Sequence, residues 1–152
     1  MIVSFDDLIS LRHEVTMVDG AFDPLHAGHI EYFRAASQFG LPVLCNVASD
    51  RYVRTKHAPL LTEDQRVVVI DAVRYIQYTH INEINSETVL QQLMPKYFVK
   101  GKDWEGRLPL GQVEICQALG IRIVYVDTVL NSSTRILKTF AADHAAGSAK
   151  AK

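Results

Sequence analysis

The sequence predicts an α/β fold, an open parallel sheet of about five strands with helices on both faces. Three observations predict it. Five short apolar runs, at 15–18, 43–48, 78–81, 97–100 and 121–126, recur along the chain with a helical pattern between successive runs, the alternation that builds parallel βαβ units. The run Val43-Leu44-Cys45-Asn46-Val47-Ala48 is apolar at successive positions, as befits a strand covered on both faces. Finally, glycine, proline and short polar residues punctuate the periodic segments where helices must begin and end.

The elements follow in order. Ser4-Phe5-Asp6-Asp7 fits a capping box, and Phe5, Leu8, Ile9 and Leu11 make one apolar face, so a short helix is expected over 4–12. After the first strand, a helix is expected over 26–39, ended by Gly40. Ser49-Asp50 opens a basic stretch, 51–57, and Thr62 N-caps a helix running to 75. Ser86 is read as the cap of a helix reaching Leu93, and Pro95 stops it. The fourth strand runs into the glycine-bracketed loop 101–107, a helix spans 111–119 with Gly120 behind it, and the fifth strand leads to a hydroxyl-rich helix start at 132–134. Residues 1–140 are expected to form a single domain of Rossmann-like type, and 141–152, rich in Ala, Gly, Ser and Lys, a disordered tail.

The most telling stretch is Val18-Asp19-Gly20-Ala21-Phe22-Asp23-Pro24-Leu25-His26-Ala27-Gly28-His29, where a strand ends, a glycine turn follows and a helix begins. Unpaired backbone N–H groups at a helix N-terminus, with the helix dipole behind them, suit a triphosphate and its roughly four negative charges. Gly20 allows a tight turn and close approach to a ligand. Asp23-Pro24 reads as the helix start, with Asp23 as cap and Pro24 giving up only an N–H that would be orphaned. His26 and His29, three apart, share one helix face at that N-terminus. Gly28 costs a helix about 1 kcal/mol against alanine, which points to something packed on the backbone there. The basic loop, the loop 101–107 and the Ser132-Ser133-Thr134 start would all open on the same carboxyl edge, the second of these with two lysines and a tryptophan at hand.

Gly20-x-Phe22-Asp23-x-x-His26-x-Gly28-His29 resembles the GxFDxxHxGH signature of the cytidylyltransferase-like nucleotidyltransferases. Lys100-Gly101-x-Asp103-Trp104-Glu105-Gly106 is similar to the GxDWEG segment of glycerol-3-phosphate cytidylyltransferases, and Ser132, Ser133 and Thr134, followed by Arg135, resemble the hydroxyl positions of an RTxGISTT motif. Asp127 and Leu130 stand where that motif has arginine and glycine; the adenylyltransferases of the heptose type also lack the arginine. The resemblance spans about 15–138 and implies an enzyme that moves a nucleoside monophosphate, CMP from CTP foremost, to a phosphorylated alcohol or sugar phosphate and releases pyrophosphate. It implies His26, His29, Lys56 and Arg66 as catalytic residues. Gly20, Ala21, Phe22, Asp23, Gly28, Lys100, Gly101, Asp103, Trp104, Ser132, Ser133 and Thr134 would bind nucleotide. It also implies Mg²⁺ brought with the nucleotide and helped by Asp23, and a homodimer. Alternatives are ATP-dependent adenylyl transfer to a sugar phosphate such as heptose 1-phosphate, and a nucleotide-binding domain without turnover.

Composition narrows the classes. The 152 residues carry 16 Lys plus Arg against 17 Asp plus Glu, a net charge of −1, so broad attraction to nucleic acid or anionic lipid is not expected. No run approaches the roughly 20 apolar residues of a membrane span. Cys45 and Cys116 lack CxxC spacing and read as buried free thiols, and with no signal-like N-terminus the expectation is a cytoplasmic protein.

Overall fold

The computed structural model describes residues 1–128 and 135–142. Its centre is a five-stranded sheet of β1 (Thr16–Gly20), β2 (Val43–Ala48), β3 (Tyr78–Asn82), β4 (Tyr97–Gly101) and β5 (Arg122–Val126), in the order β3-β2-β1-β4-β5. Every pairing is parallel. The five apolar runs are therefore the five strands, shifted by one or two residues at their ends.

Two apolar layers hold helices to the sheet, because successive strand residues face opposite ways. On one side Val18, Cys45, Val47 and Val99 pack against Phe33 and Ala36 of α1 (Ala27–Ser37) and, beyond the single-turn α2 (Asp50–Val53), Val67 and Ile70 of α3 (Glu63–Asp71). On the other, Met17, Leu44 and Phe98 pack against Val89, Leu90 and Leu93 of α4 (Ser86–Leu93), Cys116 of α5 (Leu110–Leu119) and Leu8. Each fully buried side chain of this size contributes roughly 1.5–3 kcal/mol. Both cysteines are buried free thiols. Among the described residues no helix is long and apolar enough to cross a membrane.

Several local expectations are corrected. The first segment is a 3₁₀ helix over Asp6–Leu11, although the predicted capping contacts form, Ser4 N–H donating to Asp7 Oδ2 at 2.9 Å and Asp7 N–H to Ser4 Oγ at 3.3 Å. Asp23 does not cap α1: His26 does, and Pro24 lies ahead of the cap. Asn85 rather than Ser86 caps α4, its side chain accepting from Thr88 N–H at 2.7 Å. The Thr62 cap of α3 forms as expected, but that helix ends at Asp71. Gly120 closes α5 with φ 69°, a left-handed conformation that favours glycine. Residues 135–142 are helical, so helix extends two residues into the expected tail; the rest of that tail and the hydroxyl-rich start at Ser132, Ser133 and Thr134 lie outside the described residues.

The chain runs from β1 outward through β2 to β3, then crosses back to place β4 on the other side of β1. That reversal opens a crevice at the carboxyl ends of β1 and β4, the usual ligand position in such sheets. The β1–β4 ladder pairs only Thr16 with Tyr97 and Met17 with Phe98, while both strands continue to Gly20 and Gly101. The crevice starts where this pairing stops.

Candidate active site

The turn after β1 is shaped by Phe22 rather than by Gly20 alone. Phe22 takes φ 53°, and its buried ring folds back over Gly20, so that a Cβ at Gly20 would stand 2.9 Å from Phe22 Cζ. Glycine is required there to admit this ring. The ring meets His29 edge-on with centroids 5.0 Å apart and Phe33 at the same distance, which fixes the imidazole from behind.

His26 and His29 form one unit at the N-terminus of α1. Their rings stack with centroids 3.7 Å apart. His26 Nδ1 accepts from Gly28 N–H at 3.1 Å, and His29 Nδ1 accepts from His26 N–H at 3.3 Å. Both Nδ1 atoms are thus hydrogen-bond acceptors, which in a neutral imidazole puts the proton on Nε2. Burial pushes the His29 pKa down to about 3, with the neighbouring His26 ring adding to the effect, and burial lowers that of His26 as well. Near pH 7 the pair is neutral and presents two Nε2–H donors beside a helix dipole that favours anions. Buried His26 Nε2 has no partner among the described residues.

Asp23 and Arg66 build the frame around this pair. The Asp23 carboxylate is buried and accepts from Leu60 N–H at 2.7 Å and Leu61 N–H at 3.0 Å. Arg66, equally buried, donates to the carbonyls of Ala21 (2.8 Å), Ala48 (2.7 Å) and Leu61 (3.1 Å) and pairs with Asp50 Oδ1 at 2.7 Å. Arg66 was expected to clamp phosphate; its guanidinium is instead spent on strand-end carbonyls that would otherwise be orphaned. Asp23 was expected to help hold Mg²⁺, and it does not fit that role, since both of its oxygens are already engaged by backbone N–H groups in a dry setting. No group of three or more metal-ligating side chains occurs among the described residues.

The remaining predicted residues line or flank a cleft of about 310 Å³ beside this turn. Lys56 is exposed on its edge with Nζ 4.7 Å from the Tyr52 ring centroid, and Trp104 is 36% exposed on the opposite side. Lys100, expected to meet nucleotide, is buried, paired with Asp19 Oδ1 at 2.5 Å and covered by the Trp104 ring at 4.5 Å. Gly101 leads into the 3₁₀ turn Lys102–Trp104, on which Asp103 is exposed. Asp19, Asn46, Asn82, Ser86 and Gln112 also line the cleft, and the sequence reading assigned none of them. One signal was available: Asn46 is a lone amide inside an otherwise apolar run.

Residues 17–138 match the family model described as cytidylyltransferase-like. The bifunctional protein HldE of Trichlorobacter lovleyi is 30% identical over 125 residues, covering 80% of this chain and 25% of that protein. The FAD synthase of Archaeoglobus fulgidus is 33% identical over 88 residues, 57% of this chain and 64% of that protein. This chain spans about a quarter of the length of the HldE relatives it matches. A crystal structure of the lipopolysaccharide core biosynthesis protein from Thermoplasma volcanium GSS1 superposes with a TM-score of 0.65 at 26% identity, covering 75% of this chain and 96% of that one. The family match takes in the histidine pair and all five strands save Thr16 at the start of β1, and the chain belongs to the cytidylyltransferase-like family.

Proposed function

We propose that the chain is a nucleotidyltransferase that joins the α-phosphoryl group of a nucleoside triphosphate to a phosphate-bearing alcohol or sugar. The observation carrying this reading is the histidine pair, whose Nδ1 atoms are tied to backbone N–H groups so that two neutral Nε2–H donors remain at the head of α1.

The chemistry asks little more. An oxygen of the acceptor phosphate, already ionised near pH 7, attacks the α-phosphorus; a new P–O bond forms, the bond from that phosphorus to the α–β bridging oxygen breaks, and pyrophosphate leaves with the electron pair. No general base is needed. Donors fixed beforehand around the α-phosphate stabilise the charge that gathers there, and the two bound anions are held in line. Lys56, exposed on the cleft edge, adds a mobile positive charge. A homodimer is the oligomeric state consistent with the family resemblance.

The loop 101–107 supports CTP as the nucleotide. The FAD synthase and HldE relatives support a second reading, ATP, because the product named in the first contains adenine. Pyrophosphate release, followed with each ribonucleoside triphosphate and Mg²⁺ against glycerol, ethanolamine, alditol and heptose phosphates, decides between them. CTP-dependent release supports the first reading and ATP-dependent release the second. Nucleotide binding without release from any pair leaves only a binding domain.

A further inference from the structure

The floor of the cleft draws Asp19, Asn46 and Lys100 from a single register row across the sheet. Asp19 pairs in register with Asn46, Asn46 with His80, and Lys100 with Tyr125, while the Asp19–Lys100 ion pair closes the gap between β1 and β4. The row two residues earlier, Tyr78, Leu44, Met17, Phe98 and Ile123, belongs to or packs on the apolar core. The change from apolar to polar is thus abrupt and faces the cleft beneath the N-terminus of α4.

The charged members of this row are already matched. Asp19 Oδ1 takes Lys100 Nζ at 2.5 Å, and Asp19 Oδ2 accepts from Ser86 Oγ at 3.1 Å, which in turn accepts from Asn82 Nδ2 at 3.3 Å. The amides are not. Asn46 is 1% exposed, yet neither its Oδ1 nor its Nδ2 has a partner, and Asn82 Oδ1 and Gln112 Oε1 are likewise buried and unpaired among the described residues. Buried polar groups are nearly always hydrogen-bonded, and leaving one unmade is costly, so groups of this kind gathered at one cleft need an occupant that supplies the missing bonds.

We propose that this cleft is the acceptor site and that Asn46, Asn82 and Gln112 read hydroxyl groups, so that the acceptor is a polyhydroxylated phosphate rather than an amino-alcohol phosphate. This inference rests on the nucleotidyl-transfer reading for the word acceptor, but its ligand chemistry stands separately. An amide presents a donor and an acceptor side by side, and a hydroxyl both donates and accepts, whichever way the amide is turned. An ammonium only donates. It would leave the Asn46 Nδ2 unmet, lie near Lys100, and find the Asp19 carboxylate already taken. At the cleft wall Glu87 is the other carboxylate, and Lys56 on the edge offsets its charge while offering a partner for the acceptor phosphate. A cleft of about 310 Å³ suits one small molecule of this kind.

The test is calorimetric titration of glycerol 3-phosphate, a heptose phosphate and ethanolamine phosphate into the full chain, with a non-hydrolysable CTP or ATP analogue present. Wild type, Asn46→Val and Gln112→Met are compared, the two variants removing an amide at similar volume. The polyol phosphates should bind, and each variant should weaken them about tenfold, the loss of one well-made hydrogen bond. Affinity for the nucleotide analogue should stay within about twofold, and Asn46→Val should melt no lower than wild type because an unpaired buried amide has been removed. Binding with this pattern but no pyrophosphate release when CTP or ATP with Mg²⁺ replaces the analogue would sustain the site and defeat the transfer reading. Preferred binding of ethanolamine phosphate, polyol binding indifferent to both substitutions, or no binding of either class would each overturn the inference.

Discussion

Arg66 and the histidine pair lie on either side of the same turn, and the sequence placed both at the phosphates. In the structure they have opposite characters. Arg66 is buried with its bonds directed inward, to three carbonyls and one carboxylate. His26 and His29 spend only their Nδ1 atoms on the backbone, and His26 Nε2 is left without a partner among the described residues. The comparison separates two jobs that look alike in a sequence. Polar groups whose bonds are complete hold the scaffold, and polar groups left incomplete mark where a ligand must come.

The largest effect is expected on the scaffold side. Arg66→Met strips the pair from Asp50 and orphans the carbonyls of Ala21 and Ala48, and breaking a buried pair of this sort costs roughly 3–5 kcal/mol. Urea unfolding should register that loss directly. A variant that unfolds like wild type but loses nucleotide would return Arg66 to the phosphate and erase the distinction.

On the ligand side, His29→Ala removes a transition-state donor and should lower turnover by about a hundred- to a thousandfold, with the fold retained. Steady-state pyrophosphate assays would measure it, and unchanged turnover would count against the pair. Gly20→Ala tests the coupling between the two sides. Its Cβ would meet the Phe22 ring at 2.9 Å, and that ring is held between His29 and Phe33. Overpacking of this kind costs about 1–3 kcal/mol and displaces His29, so melting temperature and turnover should fall together.

The most gradual effect is on pH dependence. The folded-state pKa of His29 is depressed to about 3, whereas the unfolded chain protonates near 6.5. Its contribution is therefore complete above about pH 6.5 and declines as pH falls from there toward 3, with a slope of at most about 1.4 kcal/mol per pH unit. Unfolding curves at pH 7, 6, 5 and 4 should show this decline, and His29→Ala should show less of it.

The fold was readable because the run 43–48 is apolar at successive positions, as a strand covered on both faces requires, and five apolar-rich runs alternate with helical patterns. The site was readable in part. His26 and His29 fall where spacing put them and Lys56 where the family resemblance put it, on one carboxyl edge, but sequence spacing carries no information about where a side chain points. It could not show that Arg66 turns inward or that Asp23 joins the turn to Leu60 and Leu61 instead of capping α1. Asn46 escaped notice because a strong apolar pattern around one amide reads as a strand with a blemish. Only register, which sets it between Asp19 and His80, reveals the polar row.

The most direct measurement is nitrogen-15 NMR of the two imidazoles, before and after addition of CTP or ATP with Mg²⁺. Neutral rings protonated at Nε2 with Nδ1 accepting are expected, with a shift of the Nε2 resonances when the triphosphate binds. Protons on Nδ1 in the free protein, or Nε2 resonances unmoved by a bound nucleotide, would contradict it.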